Sequence, residues 1–184
     1  MSHIAVLYGT TEGQTAKIAQ HIAAHLRTAG HTVDTLHLAE LPDDFDLARY
    51  AATILGASIH EGHHQRYVLR WVTQHVDALQ KLPSAWFSVC LAINSPHPKE
   101  RDEAAAYPSE MTKKTGWAPT LSTTFAGALK YTQYNWLKRM VMREIARREG
   151  GNTDTTQDHE YTDWTAVDAF ADRVLDHLSA TATS

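Results

Sequence analysis

Ile4-Ala5-Val6-Leu7-Tyr8-Gly9-Thr10-Thr11-Glu12-Gly13-Gln14-Thr15 is the stretch on which the reading of this chain turns. An apolar run suited to a strand enters a Gly/Thr-rich turn, and a helical pattern begins directly after it. Backbone N–H groups at such a helix start form an anion site, because the helix carries partial positive charge there. Thr10, Thr11 and Thr15 add hydroxyl donors. The spacing matches neither G-x-G-x-x-G nor G-x-x-x-x-G-K-[ST]. Without a lysine the turn is poorly suited to a triphosphate with magnesium. It suits a single terminal phosphate, such as that of FMN. On these residues alone a second reading stays open: an ordinary strand–turn–helix junction with a threonine as N-cap.

Outward from this turn, apolar β-type runs alternate with helical ones. Residues 3–8 read as the first strand, and Ile18, Ala19, Ile22, Ala23 and Leu26 recur at helical spacing up to a C′ glycine at Gly30. His31 to Leu38 reads as an edge strand, and Ala51 to Ser58 as a strand buried on both faces. Val68, Val72, Val76 and Leu79 mark a helix ending before Pro83. Ala85 to Ile93 is the strongest strand pattern and encloses Cys90, which reads as a small buried hydrophobe. A weak helix covers Ala104 to Thr115, begun or interrupted near Pro108, and Leu121 to Leu129 is the fifth strand. Trp164, Val167, Phe170, Ala171, Val174 and Leu178 share one face of a closing helix, capped by Thr162 or Asp163. This alternation implies an α/β fold with a parallel sheet and right-handed crossovers, in the doubly wound order 2-1-3-4-5. Such sheets bind ligands at the carboxyl ends of their strands. The order therefore groups Gly9 to Thr15, Ser58 to His64 and Ile93 to Lys99.

The 184 residues are 43% hydrophobic and 21% charged, as in a globular domain able to bury its own core. A net charge of −4 offers no overall attraction to nucleic acid or to an anionic membrane. One cysteine excludes an intramolecular disulfide and fits a reducing cytoplasm. The first residues do not read as a secretory leader, and no apolar run reaches the roughly 20 residues that span a bilayer. Residues 1–180 read as one domain, with 181–184 as a tail and an insertion at about 130–162, after or within the fifth strand. From Lys130 to Glu149 there are six basic and two acidic residues, so this segment is net +4 inside an acidic chain. Residues 134–148, with Tyr134 and Trp136 at one end, read either as a basic amphipathic helix in a membrane interface or as a helix packed on the sheet.

Tyr8 to Thr15 resembles the FMN phosphate loop of the flavodoxin superfamily, with Glu12 where a threonine is usual and Gln14 where an asparagine is usual. Four further segments occur in the same order in flavodoxin-type protoporphyrinogen IX dehydrogenases. They are Gly56-Ala57-Ser58-Ile59-His60-Glu61-Gly62-His63, Phe125-Ala126-Gly127-Ala128-Leu129, Gly150-Gly151-Asn152-Thr153-Asp154-Thr155 and Tyr161-Thr162-Asp163-Trp164. The resemblance covers nearly the whole chain. It implies a flavodoxin-like fold, FMN as cofactor, a porphyrinogen as substrate and a membrane quinone as electron acceptor. It also implies a place in the cytoplasm, at the inner face of the cell membrane. His60 and Glu61 stand where the family often has a basic or aromatic pair. A long-chain flavodoxin carrying single electrons, and an FMN-dependent quinone reductase without a porphyrin role, are the competing readings.

The expected cofactor-binding residues are Thr10, Thr11, Glu12, Gly13, Gln14 and Thr15 around the phosphate, with the Glu12 side chain pointing outward. Ser58, Ile59, His60 and Gly62, then Ala92, Ile93, Asn94 and Ser95, are expected to border the ring system. His60 and His63 are the candidate catalytic side chains, able to stabilise a reduced anionic flavin or to move protons. One ring face is left open for a planar substrate, or is covered by Tyr131 or Tyr134. No metal site is read: His60, His63 and His64 lack completing partners, and adjacent His63 and His64 cannot readily share one ion.

Overall fold

The computed structural model describes residues 1–133, 140, 142–144, 146–147 and 151–181. Its main sheet contains β1 (His3–Gly9), β2 (Thr32–His37), β3 (Ala52–His60), β5 (Ser84–Val89) and β6 (Leu121–Phe125), all parallel, in the order β2-β1-β3-β5-β6. This is the expected 2-1-3-4-5 winding. The label β4 falls to a short extra strand, His63–His64, which folds back antiparallel on β3. Leu55 of the central β3 lies between Leu7 of β1 and Trp86 of β5, and Trp86 lies beside Ser122 of β6.

Strand parity sorts the core into two layers. Ile4, Val6, Ile54 and Phe87 point to one face and meet Ile18, Ile22 and Leu26 of α1 (Gln14–Thr28) and Phe170 and Val174 of α5 (Trp164–Thr181). Leu7, Leu55 and Trp86 point to the other and meet Val68 and Val72 of α2 (Arg66–Gln74), Met111 of α4 (Pro98–Thr115), and Trp117. The helix read through Leu79 breaks at His75, and α3 (Val76–Leu79) follows it.

Two strands are shorter than the apolar pattern suggests. Leu91–Asn94 forms a 3-10 turn, so Cys90 lies just past β5, still buried, with its N–H donating to the Phe125 carbonyl at 2.9 Å. The run to Leu129 also splits. After Phe125 the chain leaves the main sheet, and β7 (Ala128–Leu129) pairs antiparallel with β8 (His159–Glu160). Apolarity marks burial but not the ladder a strand joins.

Helix α4 begins at Pro98 and continues through Pro108. A proline has no N–H for the carbonyl four residues back. That carbonyl, on Ala104, instead accepts a hydrogen bond from the Thr124 hydroxyl of β6 at 3.1 Å. Helix α5 starts on Asp163, whose carboxylate accepts from the backbone N–H of Thr165 at 3.0 Å and of Ala166 at 3.2 Å. No helix among the described residues is long and apolar enough to cross a membrane.

Candidate functional site

Helix α1 begins without a conventional cap. Its N-cap residue is Gly13, left-handed at φ 88°, with no side chain to bond the first turn. This removes the threonine N-cap reading. Glycine in place of a capping side chain forgoes only a few tenths of a kcal/mol. Fully burying each of Ile18, Ile22 and Leu26 contributes about 1.5–3 kcal/mol, so packing can hold α1 while its N-terminal donors stay available. No acidic residue stands in that first turn to compete for an anion. Thr10 closes the turn by accepting from the Gly13 N–H at 2.9 Å, which leaves its own hydroxyl proton free to donate.

Thr15 is fully buried, and its hydroxyl has no hydrogen-bond partner. Gln14 has a similar imbalance. Its amide nitrogen donates to Thr162 Oγ1 at 2.9 Å, while its buried carbonyl oxygen is unpartnered. Buried polar groups are almost always satisfied, so an orphaned hydroxyl at a cleft wall marks a place where a ligand fits. The cleft is lined by Thr10, Thr11, Glu12, Gln14, Thr15, Ser58, Ile59, His60, Val89, Gly127 and Ala128. Glu12, expected to point outward, is half-buried and contributes to this lining. The donor set, free of lysine and rich in hydroxyls, fits the phosphate of FMN.

The second wall is a hairpin. Ile59 pairs with His64 and His60 with His63, leaving a two-residue turn. Both turn residues have positive φ, Glu61 at 51° and Gly62 at 80°. This is the type I′ geometry that favours glycine at the second position and leaves a non-glycine at the first uncommon. His64 anchors the hairpin from below. It is buried, edge-on to Trp86 and Tyr107. Trp86 Nε1 donates to Ser88 Oγ at 2.9 Å, so the Ser88 hydroxyl is free to donate to His64 Nε2 at 3.0 Å. Burial first, then the nearby Lys114 and His63, lowers the His64 pKa to about 4. Gln65 ties the walls together, its amide donating to Ser58 Oγ and, at 3.3 Å, to Thr11 Oγ1. Behind the phosphate loop the Tyr67 hydroxyl meets the Thr10 backbone and lies 3.1 Å from His37 Nε2. A Cβ on Gly9 would stand 2.3 Å from Val68 and 2.9 Å from the Tyr67 hydroxyl, so the loop passes where only glycine fits.

No residue of the third expected loop is among those that line the cleft. Ala92 and Ile93 are half-exposed, and Asn94 Nδ2 reaches the Tyr161 carbonyl at 3.4 Å. Ser95 is buried and serves the start of α4, donating to Glu100 while its oxygen accepts from the His97 N–H at 3.2 Å. Tyr131 does not cover the cleft. It is fully buried beside Leu129 and Ala146, with its hydroxyl donating to the Asn152 carbonyl at 3.1 Å. Tyr134 lies outside the described residues.

Residues 5–156 match the model of the flavodoxin domain family. This chain belongs to that family. Among its relatives in the flavodoxin family is the protoporphyrinogen IX dehydrogenase (quinone) of Escherichia coli K12, 32% identical over 174 residues, which are 95% of this chain and 94% of the relative. Another, of the same name from Leishmania major, is 37% identical over 168 residues, 90% of this chain and 71% of the relative. Among solved structures, the flavodoxin of Streptococcus pneumonia TIGR4 superposes with a TM-score of 0.54 at 11% identity, covering 97% of this chain and 99% of that one. Rubredoxin oxygen:oxidoreductase from Desulfovibrio gigas gives 0.58 at 14% identity, over 99% of this chain and 37% of that one. These two likenesses speak for the flavodoxin fold.

Within this flavodoxin fold, sequence reasoning missed Val89, Gly127 and Ala128 as cleft residues, and Gln65 as the bridge between walls. The segment Phe125 to Leu129 was visible as a motif. Its departure from the main sheet, which brings Gly127 and Ala128 to the cleft, was not.

Proposed function

We infer that this chain is an FMN-dependent oxidoreductase that oxidises protoporphyrinogen IX to protoporphyrin IX and passes the electrons to a quinone. The observation that carries the cofactor assignment is the fully buried, unpartnered Thr15 hydroxyl at the uncapped start of α1. The substrate assignment rests on near-full-length likeness to enzymes of that name in two distant organisms.

In this reading Thr10, Thr11, Thr15 and the first-turn backbone N–H groups of α1 hold the FMN phosphate, and Gln65 keeps that loop in register with Ser58. Bound FMN supplies the two-electron chemistry, and the protein supplies position and electrostatics. Among the described residues no Trp, Tyr or Phe lines the cleft, and Gly127 and Ala128 present almost no side chain. That leaves one ring face open to a flat substrate. The test is anaerobic addition of protoporphyrinogen IX to the FMN-loaded protein. The visible flavin band should bleach, protoporphyrin fluorescence should rise, and menaquinone should restore the colour. A flavin reduced by a reductase protein but not by the porphyrinogen would support an electron carrier instead.

The basic insertion supports a place at the inner face of the cell membrane, where the quinone resides. Most of the helix expected over 134–148 lies outside the described residues. Met140, 142–144, Ala146 and Arg147 are helical, with Met140 62% exposed and Ala146 buried. Each Lys or Arg near an anionic surface contributes on the order of 1 kcal/mol. Reversing Lys138, Arg139 and Arg143 to Glu should weaken flotation with anionic liposomes at low salt, and unchanged flotation refutes the membrane contact.

A further inference from the structure

The β3–β4 hairpin sets two histidines side by side at the mouth of the cleft. His60 and His63 are directly opposite in register. Side chains opposite one another in an antiparallel pair share a face, with Cβ atoms about 4.5–5.5 Å apart. That face is fixed by parity along β3. Leu55 and Ala57 point toward α2 and α4, and His64, paired with Ile59, is buried on that side against Trp86. His60 and His63 therefore point the opposite way, to the side that carries α1 and the phosphate loop, and His60 lines the cleft itself.

Both imidazoles are exposed, and neither makes a hydrogen bond or ion pair with another described residue. A catalytic base is normally held in position by a third group. Here no such group is present among the described residues, although the backbone beneath the pair is held firmly through His64 and Gln65. Paired N–H donors on a rigid hairpin, free of internal partners, are arranged to meet something that arrives from solution.

We propose that His60 and His63 form a carboxylate clamp for the two propionates of the tetrapyrrole substrate. Protoporphyrinogen IX carries its propionates on neighbouring pyrrole rings, so two adjacent donors match two adjacent carboxylates. Each imidazole offers an N–H donor in either protonation state. The clamp therefore works despite Glu61 at the turn and Glu12 among the cleft residues. Docked in this way, the propionates lie at the cleft mouth and the macrocycle extends over the open side of Gly127 and Ala128. The clamp orients substrate and takes no part in the electron transfer. It rests on the functional reading above.

The experiment compares protoporphyrinogen IX with its dimethyl ester, using FMN-loaded protein and a quinone acceptor. The double variant His60→Val/His63→Val removes both donors on a backbone that favours β-branched residues. Its KM for the free acid should rise about tenfold to a hundredfold more than its KM for the ester. His60→Gln/His63→Gln, which restores an N–H donor at each position, should recover most of the loss with the acid. Equal changes for acid and ester, or none for either, overturn the clamp while leaving the enzyme assignment standing. A parent protein that oxidises neither compound overturns the enzyme assignment and the clamp with it.

Discussion

Replacing Thr15 with Val keeps the branched shape and deletes only the hydroxyl. That hydroxyl is fully buried and has no partner without FMN. An unsatisfied buried polar group costs about 1–3 kcal/mol. Thr and Val have similar helix propensities, so the backbone is indifferent to the exchange. The apo-protein should thus become more stable. For a chain of this size each kcal/mol moves Tm by about 2–4 °C, so a rise of a few degrees is expected. FMN binding should move the other way. A hydrogen bond to a charged phosphate is worth roughly 1.5–3 kcal/mol, and its loss weakens affinity about tenfold to a hundredfold. Calorimetric unfolding of the apo-protein and flavin fluorescence titration read the two quantities separately. Riboflavin, which has no phosphate, should bind parent and variant alike. A lower apo Tm with unchanged FMN affinity would show that Thr15 is a structural residue and refute the phosphate assignment.

His64 makes stability depend on pH. Its folded pKa of about 4 lies below the ordinary value of 6.5, so between those limits the unfolded chain binds the extra proton. Its contribution is complete above pH 6.5 and is lost as pH falls toward 4, on the order of 3 kcal/mol in all. Urea unfolding at pH 7 and at pH 4.5 should show the decline, and a His64→Phe variant should flatten it. The Asp163 carboxylate caps two backbone N–H groups of α5. Asp163→Ala should cost about 1 kcal/mol, read as a Tm lower by about 2–4 °C, and an unchanged Tm would deny the cap its role.

The alternation of strands and helices and the turn after β1 follow from local pattern. A continuous apolar run such as Ala51 to Ser58 can satisfy only a strand covered on both faces, and β3 is that strand. Gly30 after Leu26 stops α1 because the Gly30 and His31 N–H groups turn back to the Arg27 and Leu26 carbonyls. Such choices are made within a few residues and need no distant partner.

What the local pattern left open was settled by contacts between distant segments. Val89 and Cys90 are alike in apolarity, yet the strand ends between them. The chain also leaves the sheet after Phe125, because Ala128 and Leu129 find their ladder 30 residues away, on β8. Pro108 sits inside α4 because a hydroxyl from β6 takes up the carbonyl it frees. His63 and His64 are adjacent and identical in type. One is exposed and the other is buried on Ser88 and Trp86, since alternation along a strand separates neighbours to opposite faces. The sequence by itself determined where most strands and helices lie and that a hydroxyl-rich turn opens α1, through periodicity, apolarity and turn chemistry. Only the tertiary structure decided that His64 is buried beneath the hairpin while His63 stays exposed, because burial belongs to the packed whole.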